Sequence, residues 1–230
     1  MMFKAVLVLC VALSMGYRLH SKVDELQTTM AAFDQAVNYL AHEASISLRA
    51  YLVPISLYST DANSAYISNL TDAGQLYWDF VADAQADAAQ KGVDIESCVD
   101  SGNAQVYTLN DTFATAAFRN IKAVAAEAEE TLNGFYGPAR DEPLQHVADL
   151  WVKVNACDSD ACAVDLIQRI SDDFEQLDAG IAKALSDAKQ YVLVEYPAKL
   201  NQYSFDVDAY TAALKPIIDS VKQCINSLGH

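Results

Sequence analysis

Residues 207–228 read VDAYTAALKPIIDSVKQCINSL, and this stretch decides the fold. Its apolar residues recur at alternating steps of three and four, which is the spacing of one face of an amphipathic helix. The positions are Val207, Tyr210, Leu214, Ile217, Val221, Cys224 and Leu228. Pro216 lies inside the run and removes one backbone donor, so we expect the helix to bend there. The stretch therefore predicts a helix whose apolar face packs along a narrow seam.

The same spacing recurs upstream, and strand-like alternation of apolar and polar residues is nearly absent. Apolar runs of helical spacing cover residues 26–55, 66–84, 106–132, 144–154 and 163–192. Residues that favour turns separate the runs, at 59–61, 92, 102–103, 134–143, 158–160 and 197–205. The sequence predicts an all-α fold, an up-and-down bundle of about six amphipathic helices. Because no Gly/Ser-rich linker divides the chain, we expect residues 17–230 to form a single helical domain.

Residues 1–16 have the pattern of a signal peptide. Lys4 precedes an apolar run over 5–15, and the small residues Ser14 and Gly16 suit a cleavage site. The run is too short to span a bilayer, and no later stretch approaches about twenty uncharged apolar residues. We therefore predict a secreted, extracellular protein without stable membrane insertion.

The chain is strongly acidic, with 31 acidic and 15 basic residues and a formal net charge of −16. Such a charge repels phosphate backbones, so nucleic acid is excluded from the expected partners. Two Asn-x-Thr sequons begin at Asn69 and Asn110. In a secreted chain they predict N-linked glycosylation of both asparagines, which then face water.

The cysteines indicate disulfides. Of the five, Cys10 lies in the predicted signal peptide, and an even number remains in the secreted chain. The remaining four are Cys98, Cys157, Cys162 and Cys224. The segment CDSDAC at 157–162 lacks the second cysteine pair or nearby histidine that a zinc site needs, and its spacing differs from Cys-x-x-Cys redox motifs. We predict structural disulfides, with no metal and no cofactor.

Four cysteines allow three pairings. With six alternating helices, all four would lie at one end of the bundle. A local Cys157–Cys162 bond needs a helix break between its cysteines, which 158–160 can supply, and it leaves Cys98 to pair with Cys224. The other two pairings cross the bundle, each joining Cys98 and Cys224 to one of the central pair. We favour the crossing arrangement because a loop closed locally restrains little.

The sequence contains no recognisable catalytic motif. Gly-x-Ser-x-Gly, Gly-x-x-x-x-Gly-Lys, Gly-x-Gly-x-x-Gly and His-Glu-x-x-His are all missing. His42 and Glu43 are adjacent, and adjacent helical residues do not face each other, so they indicate a solvated helix face. We therefore predict no catalytic residues and no enzymatic activity.

Tyrosines are the candidate ligand-binding residues. Six lie on or beside the apolar runs: Tyr51, Tyr66, Tyr77, Tyr107, Tyr191 and Tyr210. One interpretation is that they belong to the core, with their hydroxyl groups at its edge. The other is that they line a cavity between kinked helices that holds a small hydrophobic or aromatic molecule. The aromatic segment at 133–140 is a second candidate, as a contact site or as a plug at the end of the bundle.

The segment AAQKGVDIESC at residues 88–98 resembles part of a group of small, secreted, helical insect proteins of unknown function, the tsetse EP-domain group. The cysteine layout, with the first mature cysteine just after a Gly-x-Asp-Ile type turn, is similar too. This resemblance implies an arthropod extracellular protein and brings no catalytic residues. We expect a non-enzymatic protein that binds a small hydrophobic or aromatic ligand between helices. The alternative is an extracellular protein whose outer faces bind another protein or a surface matrix.

Overall fold

A computed structural model describes residues 21–228, and nearly all of these residues are helical. The α-helices in chain order are α1 (Lys22–Ala50), α2 (Leu52–Lys91), α3 (Glu96–Gly134), α4 (Glu142–Asn155), α5 (Asp160–Gln190), α6 (Tyr196–Asn201) and α7 (Val207–Leu228). Two π-helical turns, Gly137–Asp141 and Tyr191–Glu195, precede α4 and α6. No strand occurs within residues 21–228. The predicted all-α fold is confirmed, whereas the predicted signal peptide at 1–16 lies outside the described residues.

These segments join into four continuous helical stretches. Tyr51 alone separates α1 from α2, and the π-helical turns carry the chain from α3 into α4 and from α5 into α6. Non-helical connections occur at 92–95, 156–159 and 202–206. The prediction of about six helices is therefore wrong, because the described residues form four.

Some of the predicted breaks lie inside helices. The hydroxyl groups of Ser59 and Thr60 each donate a hydrogen bond of 2.9 Å to a backbone carbonyl four residues earlier, that of Ile55 and that of Ser56. Such bonds satisfy a hydroxyl group without ending the helix. Gly102, at another predicted break, is buried within α3. Treating turn-forming residues as helix ends therefore overestimated the number of helices.

Proline accounts for the two π-helical turns. Each turn ends two residues before a proline, Pro143 after the first and Pro197 after the second. A proline ring clashes with the carbonyl group four residues earlier, and a wider helical turn relieves that clash. Those carbonyl groups belong to Ala139 and Leu193, which lie inside the π-helical turns. Helical structure therefore continues past both prolines, and of the break predicted at 197–205 only the part from residue 202 onward is non-helical.

The chain divides into two compact units. Within the described residues, unit 1 comprises 21–54 and 128–195, and unit 2 comprises 55–127 and 196–228. Each boundary between them falls inside a continuous helical stretch. This division groups residues that pack on each other and does not test how many domains the chain forms. The single domain predicted for residues 17–230 therefore stays a prediction.

Unit 1 is built on α1, α4 and α5. Its core contains Leu26, Met30, Phe33, Ala36, Val37, Val147, Leu150, Val154, Cys157, Ala163, Ile170 and Phe174. Two partly buried polar contacts join the helices at its edge. The indole Nε1 of Trp151 donates to Asp34 Oδ2 at 2.8 Å, and His146 Nε2 lies 2.8 Å from Asp173 Oδ2. These polar residues connect helices within unit 1.

Unit 2 is built on α2, α3 and α7. Its core contains Leu70, Tyr77, Val81, Ala88, Ile95, Val99, Val106, Tyr210, Leu214, Ile217, Ile218 and Val221. The apolar face predicted for residues 207–228 is confirmed in the middle of α7. Val207 and Leu228, at the two ends of that face, are exposed.

Candidate functional site

The six candidate tyrosines are divided between the units. Tyr51 and Tyr191 belong to unit 1, and the other four belong to unit 2. Tyr77, Tyr191 and Tyr210 are buried, Tyr51 and Tyr66 are half-buried, and Tyr107 is exposed. Their role in ligand binding stays a prediction.

Tyr77 and Tyr210 are anchored in the core of unit 2. Tyr77 Oη donates to Asn103 Oδ1 at 3.0 Å, and Tyr210 Oη donates to Asn110 Oδ1 at 2.6 Å. The two asparagines are seven residues apart on α3, so they lie on one face of that helix. Because a buried hydroxyl group needs a hydrogen-bond partner, these bonds allow both tyrosines to be buried in the core.

Burial also suppresses the ionisation of these tyrosines. Burial raises the pKa of Tyr77 above its ordinary value of 10.0, and the neighbouring Tyr107 raises it further. Burial alone raises the pKa of Tyr210, whereas the pKa of Tyr66 is raised by burial and then by Asp206. All three hydroxyl groups are therefore protonated at neutral pH, as hydrogen-bond donors must be.

Two aromatic groups surround these tyrosines. Phe205 packs against Tyr66 and Tyr210, with ring centroids 5.2 and 5.5 Å apart, in a closed cluster. Tyr107 lies outside the core and contacts Trp78, with centroids 5.8 Å apart. The rings of Tyr66, Phe205 and Tyr210 thus pack in one aromatic cluster.

A cleft in unit 2 is the candidate functional site. It lies between the C-terminal part of α2, the connection at 92–95 and the C-terminal part of α7, and has a volume of about 610 Å³. We call it the Phe80 cleft. Its apolar lining consists of Phe80, Ala84, Ala88, Val93, Ile95 and Ile225. These side chains can therefore cover part of the surface of a small apolar molecule.

Charged groups lie at the edge of the Phe80 cleft. Lys91 Nζ is 2.6 Å from Asp87 Oδ2, so this lysine is already paired with a carboxylate. Lys222 Nζ lies 5.3 Å from the centroid of the Phe80 ring, a cation–π contact. Among residues 21–228, Lys222 forms no ion pair. The cleft thus has an apolar floor and one ammonium group not neutralised by a carboxylate.

The Phe80 cleft was not predicted from the sequence, because the candidate ligand-binding residues were chosen among the tyrosines. None of the six candidate tyrosines lines it. Phe80 and Ala84 belong to a predicted apolar run, but the cleft also needs Lys222 and Ile225 of α7, which are far from them in sequence. Gly92 has a φ of 66°, a left-handed conformation that glycine adopts readily. The sequence offered one signal for this cleft, namely that Lys91 and Lys222 are basic residues in a strongly acidic chain.

A second groove in unit 2 is shallow. It lies between α3 and α7, has a volume of about 460 Å³, and is lined by Ala104, Gln105, Thr108, Leu109, Thr112 and Ile217. No charged side chain lines it. It offers a ligand less enclosure than the Phe80 cleft does.

The four predicted cysteines form two disulfides, Cys98–Cys224 in unit 2 and Cys157–Cys162 in unit 1. The crossing arrangement that we favoured is therefore wrong, and the local pairing is correct. The non-helical connection at 156–159 breaks the helix and leaves the two Cα atoms of the local pair 5.9 Å apart. The expectation that all four cysteines lie at one end of the bundle assumed six alternating helices, whereas the described residues form four.

The two sequons differ in accessibility. Asn69 is exposed on α2, whereas Asn110 is half-buried and accepts the hydrogen bond from Tyr210. Glycosylation at either site stays a prediction. The segment 133–140, a second candidate site, is largely helical and includes most of the first π-helical turn. Arg140 stacks on Tyr136 there, with 5.1 Å between the guanidinium carbon and the ring centroid.

Among residues 21–228, no helix has both the length and the apolarity needed to cross a bilayer. No group of three His, Cys, Asp or Glu side chains there is arranged to hold a metal ion.

Comparison with known proteins adds no relative from which a function can be taken. The resemblance of residues 88–98 to the tsetse EP-domain group accordingly stays a prediction. No protein-family model, no curated protein and no solved structure matches the chain.

Proposed function

We propose that this protein is an extracellular, non-enzymatic binding protein that holds a small hydrophobic or aromatic molecule in the Phe80 cleft. The observation that carries the proposal is a cleft of about 610 Å³ at which apolar side chains of α2, α7 and the connection at 92–95 come together. Ligand sites in proteins have volumes of roughly 300–1,000 Å³ and are lined mainly by apolar groups with a few polar ones. The volume of the Phe80 cleft falls within that range, and its lining is mixed, with six apolar residues beside Asp87, Lys91, Lys222 and Asn226.

The walls of the cleft are suited to a preformed site. Cys224 lies in the stretch of α7 that contributes Lys222 and Ile225, and its disulfide ties this stretch to the beginning of α3. Ala88 and Ile95 are themselves part of the buried core. A ligand therefore has little wall structure to order on binding, which lowers the entropic cost of association.

Extracellular placement is supported by two features. The N-terminal sequence has the signal-peptide pattern, and both disulfides are of the kind that persist in oxidising compartments. Expression of the full chain in insect cells, followed by N-terminal sequencing of protein from the medium, tests this part. Retention of the intact chain inside the cells would contradict it.

Binding is tested with an uncharged fluorescent probe, N-phenylnaphthylamine, whose emission rises in an apolar site. The wild-type protein should enhance its emission in a saturable manner. Ala84→Trp fills the floor of the Phe80 cleft and should remove most of that enhancement. Ala104→Trp places the same side chain in the shallow groove of unit 2 and should leave it unchanged. The proposal fails if the probe does not bind, or if both variants reduce its binding equally.

A second candidate function, contact with another protein or a surface matrix, is favoured by an exposed aromatic surface on unit 2. Tyr107 and Phe118 are 63% and 60% exposed. They are eleven residues apart on α3, about three helical turns, and therefore share one face. Tyr107 contacts Trp78, which extends the aromatic surface onto α2. Exposed aromatic groups of this kind occur at binding surfaces.

Photo-crosslinking tests the second candidate. A photoreactive amino acid at Phe118 should give a discrete adduct in the extracellular fluid of the source tissue. The same amino acid at Asn120, which is exposed on another face of α3, serves as the control. Identical adducts from both positions would argue against a specific surface.

A further inference from the structure

We propose that the ligand of the Phe80 cleft is a single-chain amphipathic carboxylate, such as a medium-chain fatty acid, whose head group pairs with Lys222. This inference rests on the proposed function, because it assigns the chemical class of the molecule held in that cleft. The apolar chain would lie against Phe80, Ala84 and Ile225. The carboxylate would face the Lys222 ammonium group.

The charge of the cleft lining supports an anionic head group. The lining contains Asp87, Lys91 and Lys222, so it is net positive although the whole chain has a formal net charge of −16. Lys91 is 2.6 Å from Asp87, which neutralises both groups. Lys222 has no carboxylate partner among residues 21–228. An ammonium group beside an apolar surface attracts an anion more strongly than one in open water does.

The same lining disfavours other amphipathic ligands. A cationic head group would be repelled by Lys222, and a neutral one would gain only the apolar contacts. A dianionic phosphate would bring a second negative charge that no unpaired lysine in the lining neutralises, into a protein whose overall field is negative. One negative charge on one apolar chain is therefore the complement of this cleft.

The geometry also indicates how Lys222 is held. Its ammonium group lies 5.3 Å from the centre of the Phe80 ring, so the floor of the cleft and the charge at its edge are in contact. Cys224, two residues further along α7, is fixed by its disulfide to Cys98. Lys222 is therefore placed at the cleft by a restrained helix and not by a mobile terminus.

Isothermal titration calorimetry below the critical micelle concentration tests the inference. The probes are decanoate, decanol and decyltrimethylammonium, which share a chain length and differ in head-group charge. We expect decanoate to bind most tightly and decyltrimethylammonium most weakly. Added salt should reduce the part of decanoate affinity that depends on the Lys222 charge, because the head-group pair is partly exposed.

Lys222→Met keeps most of the apolar stem and removes the charge. It should weaken decanoate binding about three- to five-fold, the effect of one exposed ion pair, and leave decanol binding unchanged. Lys215→Met, on an exposed position of α7 outside the cleft, is the matched control and should change neither. Both substitutions are at exposed positions, so neither is expected to prevent folding.

The outcomes separate the two proposals. If decanol binds as tightly as decanoate, and Lys222→Met changes neither affinity, the head-group inference is wrong while the cleft remains a site for uncharged molecules. If none of the three probes binds, or if Ala84→Trp leaves their binding intact, the proposed function itself is wrong. Equal weakening by Lys222→Met and Lys215→Met would show a general charge effect and would also overturn the head-group inference.

Discussion

At the scale of single residues, a glycine and a tyrosine determine how α2, α3 and α7 meet in unit 2. A Cβ atom built on Gly102 would lie 2.5 Å from Val221 Cγ2 and closer still to Tyr77 Oη. Such contacts are far shorter than van der Waals separation, so only glycine fits there. The hydroxyl group of Tyr77 occupies this space and donates to Asn103. Gly102 was predicted to break a helix, whereas in the structure it lies within α3 and allows close packing.

Gly102→Ala should therefore destabilise the protein by about 1–3 kcal/mol, the usual cost of overpacking a core. Urea unfolding followed by far-UV circular dichroism measures the change. Gly134→Ala is the matched control on the same helix, because a Cβ atom there has no neighbour within 4 Å. We expect the control to be neutral or slightly stabilising, since alanine favours helix more than glycine does. Equal losses in both variants would contradict the packing argument.

The buried tyrosines predict a loss of stability at high pH. The pKa values of Tyr77 and Tyr210 are raised in the folded protein above the ordinary 10.0. Above pH 10 the unfolded chain loses these protons first, so the free energy of unfolding falls as pH rises through the folded pKa values. Below that pH the contribution is fully present. Urea midpoints measured at increasing alkaline pH should decline.

The matched comparison is Tyr77→Phe/Tyr210→Phe. This double variant has lost both buried hydroxyl groups, so its decline above pH 10 should be shallower than that of the wild type. It should also be less stable at neutral pH, because Asn103 and Asn110 lose their donors. A decline of unchanged steepness would show that other groups are responsible.

At the scale of secondary-structure elements, the beginning of α5 is defined by one side chain. Ser159 has an extended backbone, and its Oγ accepts from the backbone N–H of Cys162 at 3.4 Å. Asp160 adds a negative charge to the first turn, where the helix dipole favours it. The helix begins within the break that the sequence predicted at 158–160, and serine and aspartate are typical helix-start residues.

Ser159→Ala should lower stability by about 1 kcal/mol, the usual cost of losing an N-cap. Ser159→Asp keeps an acceptor at the same position and should retain most of the stability. Ser171→Ala, at an exposed position on the same helix, should have no appreciable effect. Thermal unfolding of the three variants compares them, and a neutral Ser159→Ala would exclude the capping role.

The elements also show where sequence reasoning reaches its limit. Gly92 and the segment at 158–160 were correctly predicted to end helices. The break predicted at 134–143 was wrong, because a π-helical turn absorbs Pro143 without ending the helix. The break predicted at 197–205 was correct from residue 202 onward, although a second π-helical turn carries the helix past Pro197. Single-sequence periodicity distinguishes helix from strand well, but it does not distinguish a helix end from a widened turn. The all-α fold could therefore be predicted, and the helix count could not.

At the scale of the whole molecule, the two disulfides close loops of very different length. Cys98 and Cys224 are 126 residues apart, whereas Cys157 and Cys162 are five apart. In the chain-entropy description, the long loop contributes about 5 kcal/mol and the short one about 2 kcal/mol. The pairing could not be deduced from sequence, because it depends on which connections lie near each other.

Cys98→Ala/Cys224→Ala should therefore cost more stability than Cys157→Ala/Cys162→Ala. Chemical unfolding of both double variants beside the wild type measures the difference. The first variant should also lose affinity for decanoate, because its disulfide restrains the wall of the Phe80 cleft that carries Lys222. Equal losses of stability in the two variants would mean that loop length is not the deciding factor.

The candidate site was less predictable than the fold. Aromatic residues with helical spacing pointed to Tyr77 and Tyr210, but in the structure their hydroxyl groups are bonded to asparagines in a packed core. The Phe80 cleft depends on Lys222 and Phe80 coming together from helices far apart in the chain. The spacing of residues along one helix does not show which residues of another helix contact them.

The long disulfide has a consequence for proteolysis. Of the three non-helical connections, those at 156–159 and 202–206 lie between Cys98 and Cys224, and only 92–95 lies outside that interval. An extracellular protease that nicks the backbone at 202–206 would leave both fragments covalently attached. The nicked protein would migrate as one species on a non-reducing gel and as two after reduction. A cut at 92–95 alone would release a fragment that no disulfide retains.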